Sequence, residues 1–225
     1  RRRRDGLVSR RVGVVLFPGS NCEQDMVEAV ALVGGEPEVL WHGDATVKGV
    51  DAVVVPGGFA HGDYLRPGAI ARFSPVMPAV ADFARDGGAV VGICNGFQVL
   101  TEAGLLPGAL QKNRGLKFVC DTVELRVDRS GTALTEGVEV GTTLRIPINH
   151  FEGNYTCDED TLAQLVDEDR VVFRYVDNPN GSVDDIAGIC SQGGNVVGLM
   201  PHPERASSEL LGSADGLPLL RSLVG

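Results

Sequence analysis

The sequence predicts an α/β fold in which a mostly parallel, doubly wound sheet carries an antiparallel addition in its second half. Up to residue 110, short apolar runs that end at Gly or Pro alternate with segments of helical periodicity, which is the pattern of consecutive βα units. Beyond residue 110, extended segments and turn residues follow one another, which favours antiparallel pairing. The 225 residues are enough for one such domain.

The first βα unit is the clearest in the sequence. Residues 11–17 form an apolar run that stops at Pro18-Gly19, as expected of a parallel strand buried on both faces. Ser20 and Asn21 offer side chains that can cap a helix, and Gly34-Gly35 ends that helix. The other elements predicted in this half are strands at 38–41 and 50–55, a helix at 69–84 and a strand at 89–91.

The second half contains a predicted hairpin near its end. Two strands, at 185–190 and 195–200, flank the turn sequence Ser191-Gln192-Gly193-Gly194. The second of these strands leads directly into His202-Pro203-Glu204. The remaining elements predicted in this half are extended segments at 117–127, 142–148 and 171–175 and a terminal helix at 217–224.

The charge of the chain is distributed unevenly. The net charge is −10, from 20 basic and 30 acidic residues, and six of the basic residues lie within the first eleven positions. The rest of the chain is acidic, which argues against binding to nucleic acid because the neutralisation of phosphates needs a basic face. We assign residues 1–10 to an Arg-rich head outside the fold and residues 11–225 to a single domain.

The five cysteines are odd in number, widely spaced and free of any C-x-x-C motif. This pattern favours reduced thiols and a cytoplasmic protein over a disulfide framework or a zinc knuckle. Because the sequence contains no clustered Cys and His ligands, we expect no catalytic metal. No apolar run approaches the roughly 18 residues of a membrane span, so we expect no membrane contact.

Cys94 lies at a predicted strand-to-helix turn and is the candidate nucleophile. Glycines two residues before and after it, Gly92 and Gly96, allow a tight turn. The helix predicted to begin near Asn95 directs free N–H groups and the positive end of its dipole toward the sulfur, which favours the thiolate. We interpret the other cysteines as small apolar core residues, namely Cys22, Cys120, Cys157 and Cys190.

A cysteine nucleophile needs a base, and the base needs a partner that fixes its orientation. His202 and Glu204 fit these roles, because a single proline separates them at the end of a predicted buried strand. The segment Asn149-His150-Phe151-Glu152 also pairs a histidine with a carboxylate two residues later. His150 therefore stays open as an alternative base.

Gly57-Gly58 follows a predicted strand, and by itself it indicates only a turn. Neither a G-x-G-x-x-G nor a P-loop motif occurs, so we expect no nucleotide cofactor in this chain. The loops at the carboxyl ends of strands meet at one edge of an open α/β sheet. Backbone N–H groups at Gly58 or Phe59 and at Asn95 are therefore candidates for an oxyanion site.

Two runs, taken together, resemble the triad glutaminases of the class I glutamine amidotransferases. They are Gly92-x-Cys94-x-Gly96-x-Gln98 and His202-Pro203-Glu204. Residues 17–22, 56–73 and 188–205 narrow the resemblance to glutaminase subunits of purine biosynthesis. The resemblance covers residues 12–224 and implies a flavodoxin-like sheet. It further implies hydrolysis of L-glutamine to glutamate and ammonia through a glutamyl thioester.

This resemblance assigns roles to individual residues. Cys94 would attack the amide carbon, His202 would protonate the leaving ammonia and then activate water, and Glu204 would orient His202. The loop at Gly58 would help to hold the substrate, together with the side chains of three further residues. These implied substrate-binding residues are Gln98, His150 and Phe151.

The resemblance also implies partners. Ammonia would pass to a large synthetase subunit that uses ATP and magnesium to make formylglycinamidine ribonucleotide, and a small third subunit would bridge the two. Loops at 59–69 and 177–184 are our candidates for the partner surface. Two other functions stay open: a cysteine hydrolase of the intracellular peptidase or deglycase type, and a non-catalytic glutamine-sensing subunit.

Overall fold

The computed structural model describes residues 9–225, and most of its strands form one nine-stranded sheet. Within residues 9–225 the strands are β1 (Arg11–Leu16), β2 (Glu36–Trp41), β3 (Ala52–Val55), β4 (Ala89–Ile93), β5 (Ala109–Gln111), β6 (Val119–Val127), β7 (Thr143–His150), β8 (Asn154–Thr156), β9 (Val171–Tyr175), β10 (Ile186–Cys190) and β11 (Val196–Leu199). The helices are α1 (Glu23–Leu32), α2 (Val76–Arg85), α3 (Asn95–Glu102), α4 (Glu159–Asp167) and α5 (Leu217–Val224).

One half of the large sheet is parallel, in the order β2-β1-β3-β4-β11. β3, β11 and almost all of β4 are buried, which explains why these strands read as continuous Val, Ile and Leu runs. The strand order reverses direction between β1 and β3, and ligands of doubly wound sheets bind outside the carboxyl ends at such a reversal. The predicted fold class is confirmed.

The other half of the large sheet is antiparallel, in the order β11-β10-β9-β6-β7. The predicted hairpin is the pair β10 and β11, and it joins the two halves. Buried and exposed residues alternate along β6 and β7, as expected where one face of a sheet packs on the core and the other meets water. With the strands β10, β9, β6 and β7, the antiparallel addition is nearly as wide as the parallel half.

One predicted helix needs correction, and one helix was missed. The predicted helix at 69–84 is a short turn at Ala71–Phe73 followed by α2, because Pro75 holds the residue before it in an extended conformation, with ψ of 142° at Ser74. Helix α4 was not predicted. Its signal is Asp158, whose carboxylate accepts the N–H of Thr161 at 2.7 Å.

The amino-terminal boundary also shifts. Residues 1–8 of the predicted head lie outside the described residues, but Arg10 belongs to the fold, because its carbonyl accepts the N–H of Glu36 at 2.9 Å. Ser20 and Asn21 do not cap α1, whose cap position is Cys22. Among residues 9–225, no helix is long and apolar enough to cross a membrane.

Candidate active site

Cys94 occupies a strained turn between β4 and α3. Its backbone has φ of 51° and ψ of −109°, a conformation that costs energy for any residue with a side chain. A Cβ at Gly96 would lie 1.8 Å from the carbonyl oxygen of Val55, and one at Gly92 would lie 2.6 Å from the oxygen of Gly96. Both glycines are therefore required by close packing of backbone, and together they hold Cys94 at the edge of the sheet.

His202 and Glu204 form a buried pair directly after β11. The Nδ1 atom of His202 lies 2.6 Å from Oε1 of Glu204. The backbone N–H of His202 donates to the carbonyl of Pro147 at 2.8 Å. Burial by itself lowers the pKa of His202, but the carboxylate of Glu204 and, to a smaller extent, the sulfur of Cys94 outweigh burial. The pKa of His202 therefore lies well above its usual value, and Glu204 stabilises the imidazolium.

Gly57, just after β3, lies beside both the His202–Glu204 pair and Cys94. A methyl group placed on Gly57 would lie 2.7 Å from Cε1 of His202 and 3.4 Å from Cβ of Cys94. The two side chains therefore converge on the same face of one glycine. No side chain at position 57 separates them, which leaves the sulfur and the imidazole free to exchange a proton.

His150 is also buried, but its surroundings differ. Its Nδ1–H donates to Oδ1 of Asn113 at 3.1 Å, so the neutral ring carries a lone pair on Nε2. Burial and the charge of His202 lower the pKa of His150 to about 4. The carboxylate of Glu152 is not its partner, so the pattern of a histidine and a carboxylate two residues later is not a pair here.

The structure narrows the choice of oxyanion donors. The N–H of Phe59 donates to the carbonyl of Gly19 at 2.9 Å, which leaves Gly58 as the donor offered by this loop. Gly58 has φ of 138°, and a Cβ there would lie 2.7 Å from the nitrogen of Asn21. The N–H of Asn95 is in the first turn of α3, where helix N–H groups lack intrahelical partners.

Asn95 and Gln98 tie the turn at Cys94 to two other loops. Oδ1 of Asn95 accepts the N–H of Ala60 at 3.0 Å, and its amide donates to Oε1 of Gln98 at 2.8 Å. The amide of Gln98 then donates to the carbonyl of Glu152 at 2.5 Å. Each polar end of the Gln98 amide therefore has a protein partner, which fixes the side chain at the cavity wall.

The thiol and the imidazole face a cavity of about 300 Å³. One wall is acidic, because Asp63 and Glu152 both line the cavity. Burial, and to a smaller extent the charge of Glu152, raise the pKa of Asp63 to about 6. The other lining residues that matter for the site are Cys22, Gly58, Arg66, Gln98, Asn149, His150, Phe151 and Arg205.

Sequence reasoning missed Cys22 and Arg205. Cys22 is buried, as expected of a core residue, but it also lines the cavity and lies outside the main apolar cluster. Its signal was its place in the loop after β1, which meets the same edge of the sheet. Of the other thiols, Cys190 is in the core, Cys157 packs partly against it, and Cys120 is exposed, contrary to prediction.

The arrangement can carry out acyl transfer. It combines a thiol at a strained turn, an imidazole positioned to exchange a proton with it, a carboxylate that orients the imidazole and backbone N–H groups that can bind an oxyanion. A family model for the CobB/CobQ-like glutamine amidotransferase domain matches residues 9–214. The fold and this match together place the chain among the glutamine amidotransferases.

Relatives identify the family more closely. The phosphoribosylformylglycinamidine synthase subunit PurQ of Rubrobacter xylanophilus is 62% identical over 95% of this chain and 97% of the relative. The PurQ subunit of Koribacter versatilis is 54% identical over 96% and 97%. The chain belongs to this PurQ family of glutamine amidotransferase subunits.

Solved structures agree with this assignment. A structure of PurLQS from Thermotoga maritima matches with a TM-score of 0.89 and 42% identity, over 96% of this chain and 98% of that one. A putative GMP synthase subunit from Thermoplasma acidophilum matches with a TM-score of 0.66 and 14% identity, over 96% and 93%. At that identity the second match shows a shared fold alone.

Proposed function

We propose that this chain hydrolyses L-glutamine to glutamate and ammonia through a glutamyl thioester on Cys94, as the glutaminase subunit of a phosphoribosylformylglycinamidine synthase. The observation that carries the proposal is the convergence of Cys94 and the His202–Glu204 pair on Gly57, at the wall of one cavity. Membership of the PurQ family supports both the substrate and the pathway.

The first half of the reaction forms the thioester. The sulfur of Cys94 attacks the amide carbon of glutamine, and the oxyanion that develops is bound by the N–H groups of Gly58 and Asn95. His202 in its imidazolium form gives its Nε2 proton to the leaving nitrogen, which departs as ammonia. The raised pKa of His202 favours this step, because it keeps the proton available at neutral pH.

The second half of the reaction releases glutamate. His202, now neutral, accepts a proton from a water molecule, which attacks the thioester carbon. Glu204 stabilises the imidazolium that forms and keeps the proton of Nδ1 in place, so that Nε2 always faces the sulfur. Collapse of the intermediate returns Cys94 and the starting protonation state.

The walls of the cavity suit the amino-acid end of glutamine. Asp63 and Glu152 offer carboxylates to the α-ammonium group, and ionised Asp63 is the form that binds a cation. Gln98 and Asn95 hold the two loops that carry these acids. His150 and Phe151 line the same cavity beside them. His150 is neutral, so it contributes shape and a hydrogen-bond acceptor rather than charge.

The ammonia is consumed by partners in this proposal. A large synthetase subunit uses it with ATP and magnesium, and a small subunit bridges the two proteins. The loop at 59–69 is the better candidate for the partner surface, because Tyr64 and Leu65 are strongly exposed beside the cavity. In the loop at 177–184, Asp184 is instead paired with Arg174.

The test is reconstitution with the synthetase and the small subunit. Cys94→Ala is expected to abolish synthesis from glutamine and to leave synthesis from added ammonium ions unchanged, because only the nucleophile is removed. Cys120→Ala is the matched control, since Cys120 is exposed and does not line the cavity. We also expect weak glutaminase activity from the isolated chain and an increase on assembly.

Two outcomes would contradict the proposal. If even the assembled complex releases no glutamate from glutamine, the result would favour a different kind of cysteine hydrolase. Glutamine-dependent synthesis that persists at the wild-type rate in Cys94→Ala would leave this chain with a sensing or structural role.

A further inference from the structure

Two opposite charges in the loop at 59–69 reach opposite ends of helix α3. The carboxylate of Asp63 lies at the first residue of the helix, where the amide of Asn95 donates to its Oδ1 at 3.2 Å. Three residues later in the loop, the guanidinium of Arg66 reaches the last residue of the helix, Glu102. Since each helical residue adds about 1.5 Å, the two ends of α3 are about 10 Å apart. The cation is therefore held away from the acid, although both residues line the same cavity.

The contact between Arg66 and Glu102 has the geometry of a strong ion pair. Nε and Nη2 of Arg66 donate to the two carboxylate oxygens at 2.5 and 2.7 Å, which is a parallel two-bond arrangement. The side chain of Glu102 is only 15% exposed, and Nη1 of Arg72 lies 3.8 Å from the same carboxylate. Exposed ion pairs contribute little in general, but bidentate pairs within a small network are the exception. This contact therefore fixes the place of the Arg66 guanidinium.

Glu102 occupies an unfavourable position for a carboxylate. It is the last residue of α3, and the negative end of a helix dipole disfavours an acid there. Arg72 offsets part of this cost, because its Nη1 donates to the backbone carbonyl of Glu102 at 3.0 Å. A neutral glutamine would end the helix without that cost. The charge of Glu102 therefore indicates a role outside the helix, and its contact with Arg66 is where that charge acts.

The acidic wall of the cavity shows the effect of keeping Arg66 away. Burial and the charge of Glu152 raise the pKa of Asp63 to about 6, and the hydrogen bond from Asn95 opposes them. The hydrogen bonds to Glu102 raise the pKa of Arg66. The other titratable side chains of the cavity come from the loops after β1, β4 and β11 and from the end of β7, namely Cys22, Cys94, His150, His202 and Arg205. Within residues 9–225, the causes that shift the pKa of Asp63 include no arginine or lysine, so the wall is open to a cation from outside.

We propose that Glu102 is a specificity-determining residue, because it withholds the guanidinium of Arg66 from the acidic wall and keeps that wall free for the α-ammonium group of the substrate. This inference rests on the proposed glutaminase function, in which the α-ammonium group is the cation bound there. Without a carboxylate at position 102, Arg66 is an unpaired cation in the loop that carries Asp63. Charge attraction then draws the guanidinium to the acidic wall, where it takes the place of the substrate's ammonium group.

Kinetics of the reconstituted complex test this role through Arg66. Glu102→Gln is expected to raise KM for glutamine on the order of 10-fold with kcat unchanged, because the lost contact is made equally in the ground state and the transition state. Adding Arg66→Gln to that variant should recover most of the loss, since the competing cation is gone. Glutaramate, which is glutamine without its α-amino group, should show the same KM in the wild type and in Glu102→Gln.

The double variant separates this role from simple support of the fold. If the ion pair only stabilised the loop, the double variant would be no better than Glu102→Gln, and that result would overturn the proposal. Glu102→Gln keeps the backbone carbonyl that Arg72 binds, so α3 retains the partner at its end. Asp82→Asn is the matched control, because it breaks an exposed ion pair with Arg85 at 2.7 Å outside the cavity, and no change in KM is expected.

A second measurement needs no catalysis. Titration of the carboxyl signals by NMR in the full chain should give Asp63 a pKa of about 6 in the wild type and a lower pKa in Glu102→Gln, where a guanidinium lies beside it. The pKa should return to about 6 once Arg66→Gln is added. An unchanged pKa of Asp63 in Glu102→Gln would overturn the proposal. A failure of the proposed function would appear separately, as absent glutamate release from the wild-type complex.

Discussion

The loops that carry His202 and His150 look alike in sequence and behave oppositely in the structure. Each histidine lies at or just after the end of a strand, each has a carboxylate two residues later, and each is almost completely buried. Both face the same cavity, and within residues 9–225 the Nε2 atoms of both lack a hydrogen-bond partner. Yet the pKa of His202 is raised well above its usual value, while that of His150 is lowered to about 4.

The difference between the two pKa shifts comes from the group that lies next to Nδ1 of each ring. After His202, Pro203 begins a tight helical turn that brings Glu204 back onto the ring. After His150 the chain leaves the strand, and Asn113 takes the place next to the ring. An anionic partner offsets the cost of burying an imidazolium, and a neutral amide does not. Equal burial can therefore give either sign of shift.

The largest effect that separates the two loops is expected in catalysis. His202→Gln should lower kcat for glutamine in the assembled complex by ~10³-fold or more, because a positioned general acid and base contributes ~10²–10⁴-fold. His150→Gln keeps a polar group at the cavity wall and should lower kcat by no more than ~10-fold. Steady-state kinetics with glutamine, and with ammonium ions as the control, give both values.

Equal losses in the two variants would contradict the comparison. Synthesis from ammonium ions should be unchanged in both, since it bypasses the glutaminase site. A fall in that activity would indicate damage to folding or assembly instead.

A smaller effect is expected from exchanging the partners of the two rings. Glu204→Gln removes the charge beside His202 and should lower both its pKa and kcat, the latter by ~10²-fold, near the low end for acid and base catalysis. Asn113→Asp places a carboxylate beside His150 and should raise its pKa above about 4. Titration of the histidine ring signals by NMR measures both shifts.

The exchange also shows whether charge alone makes a base. Activity should not recover when Glu204→Gln and Asn113→Asp are combined, because His150 still lacks the position next to the sulfur. Recovery in the double variant would show that the two loops are interchangeable.

A third expected effect concerns stability in acid. His150 is neutral in the folded chain, and its pKa falls from 6.5 to about 4 on folding. As pH drops from 6.5 to 4, the unfolded chain gains a proton that the folded chain does not, so this residue should cost ~3 kcal/mol of stability over that window. Urea unfolding as a function of pH should show a shallower acid decline in His150→Gln.

His202 should behave in the reverse way. Because its pKa is raised on folding, its contribution to stability is complete below pH 6.5 and is lost as pH rises through the raised value. His202→Gln should therefore flatten the alkaline limb of the same curve and leave the acid limb unchanged. If the acid limb changes in that variant, the loss of stability in acid would have been wrongly attributed to His150.

Much of the fold could be predicted because it depends on local pattern. The strand at 171–175 and the helix at 217–224 match the structure, since periodicity and flanking turns identify such elements. The prediction failed where a single residue decided the outcome. Pro75 broke the predicted helix at 69–84, and the cap at Asp158 started a helix within a stretch interpreted as extended and turn segments.

The local surroundings of the candidate site residues could be predicted to a similar degree. The turn at Cys94 is visible in sequence because Gly92 and Gly96 lie beside it, and the His-Pro-Glu run at 202–204 is equally local. Cys22 was not assigned to the site, because its place in the loop after β1 was the only sign that its side chain could face the cavity. Gln98 is expected to hold substrate and does line the cavity, and the structure adds that its amide is bonded to Asn95 and to the carbonyl of Glu152.

The sequence by itself determined most of the order of strands and helices, the acidic composition, the tight turn at Cys94 and the family resemblance. Only the tertiary structure decided which histidine faces the thiol, which loop amide stays free for an oxyanion and that Cys22 joins the site. The reason is physical. Periodicity and turn geometry depend on neighbours along the chain, whereas a pKa, a free N–H group or the lining of a cavity depends on atoms that the fold brings together from distant positions.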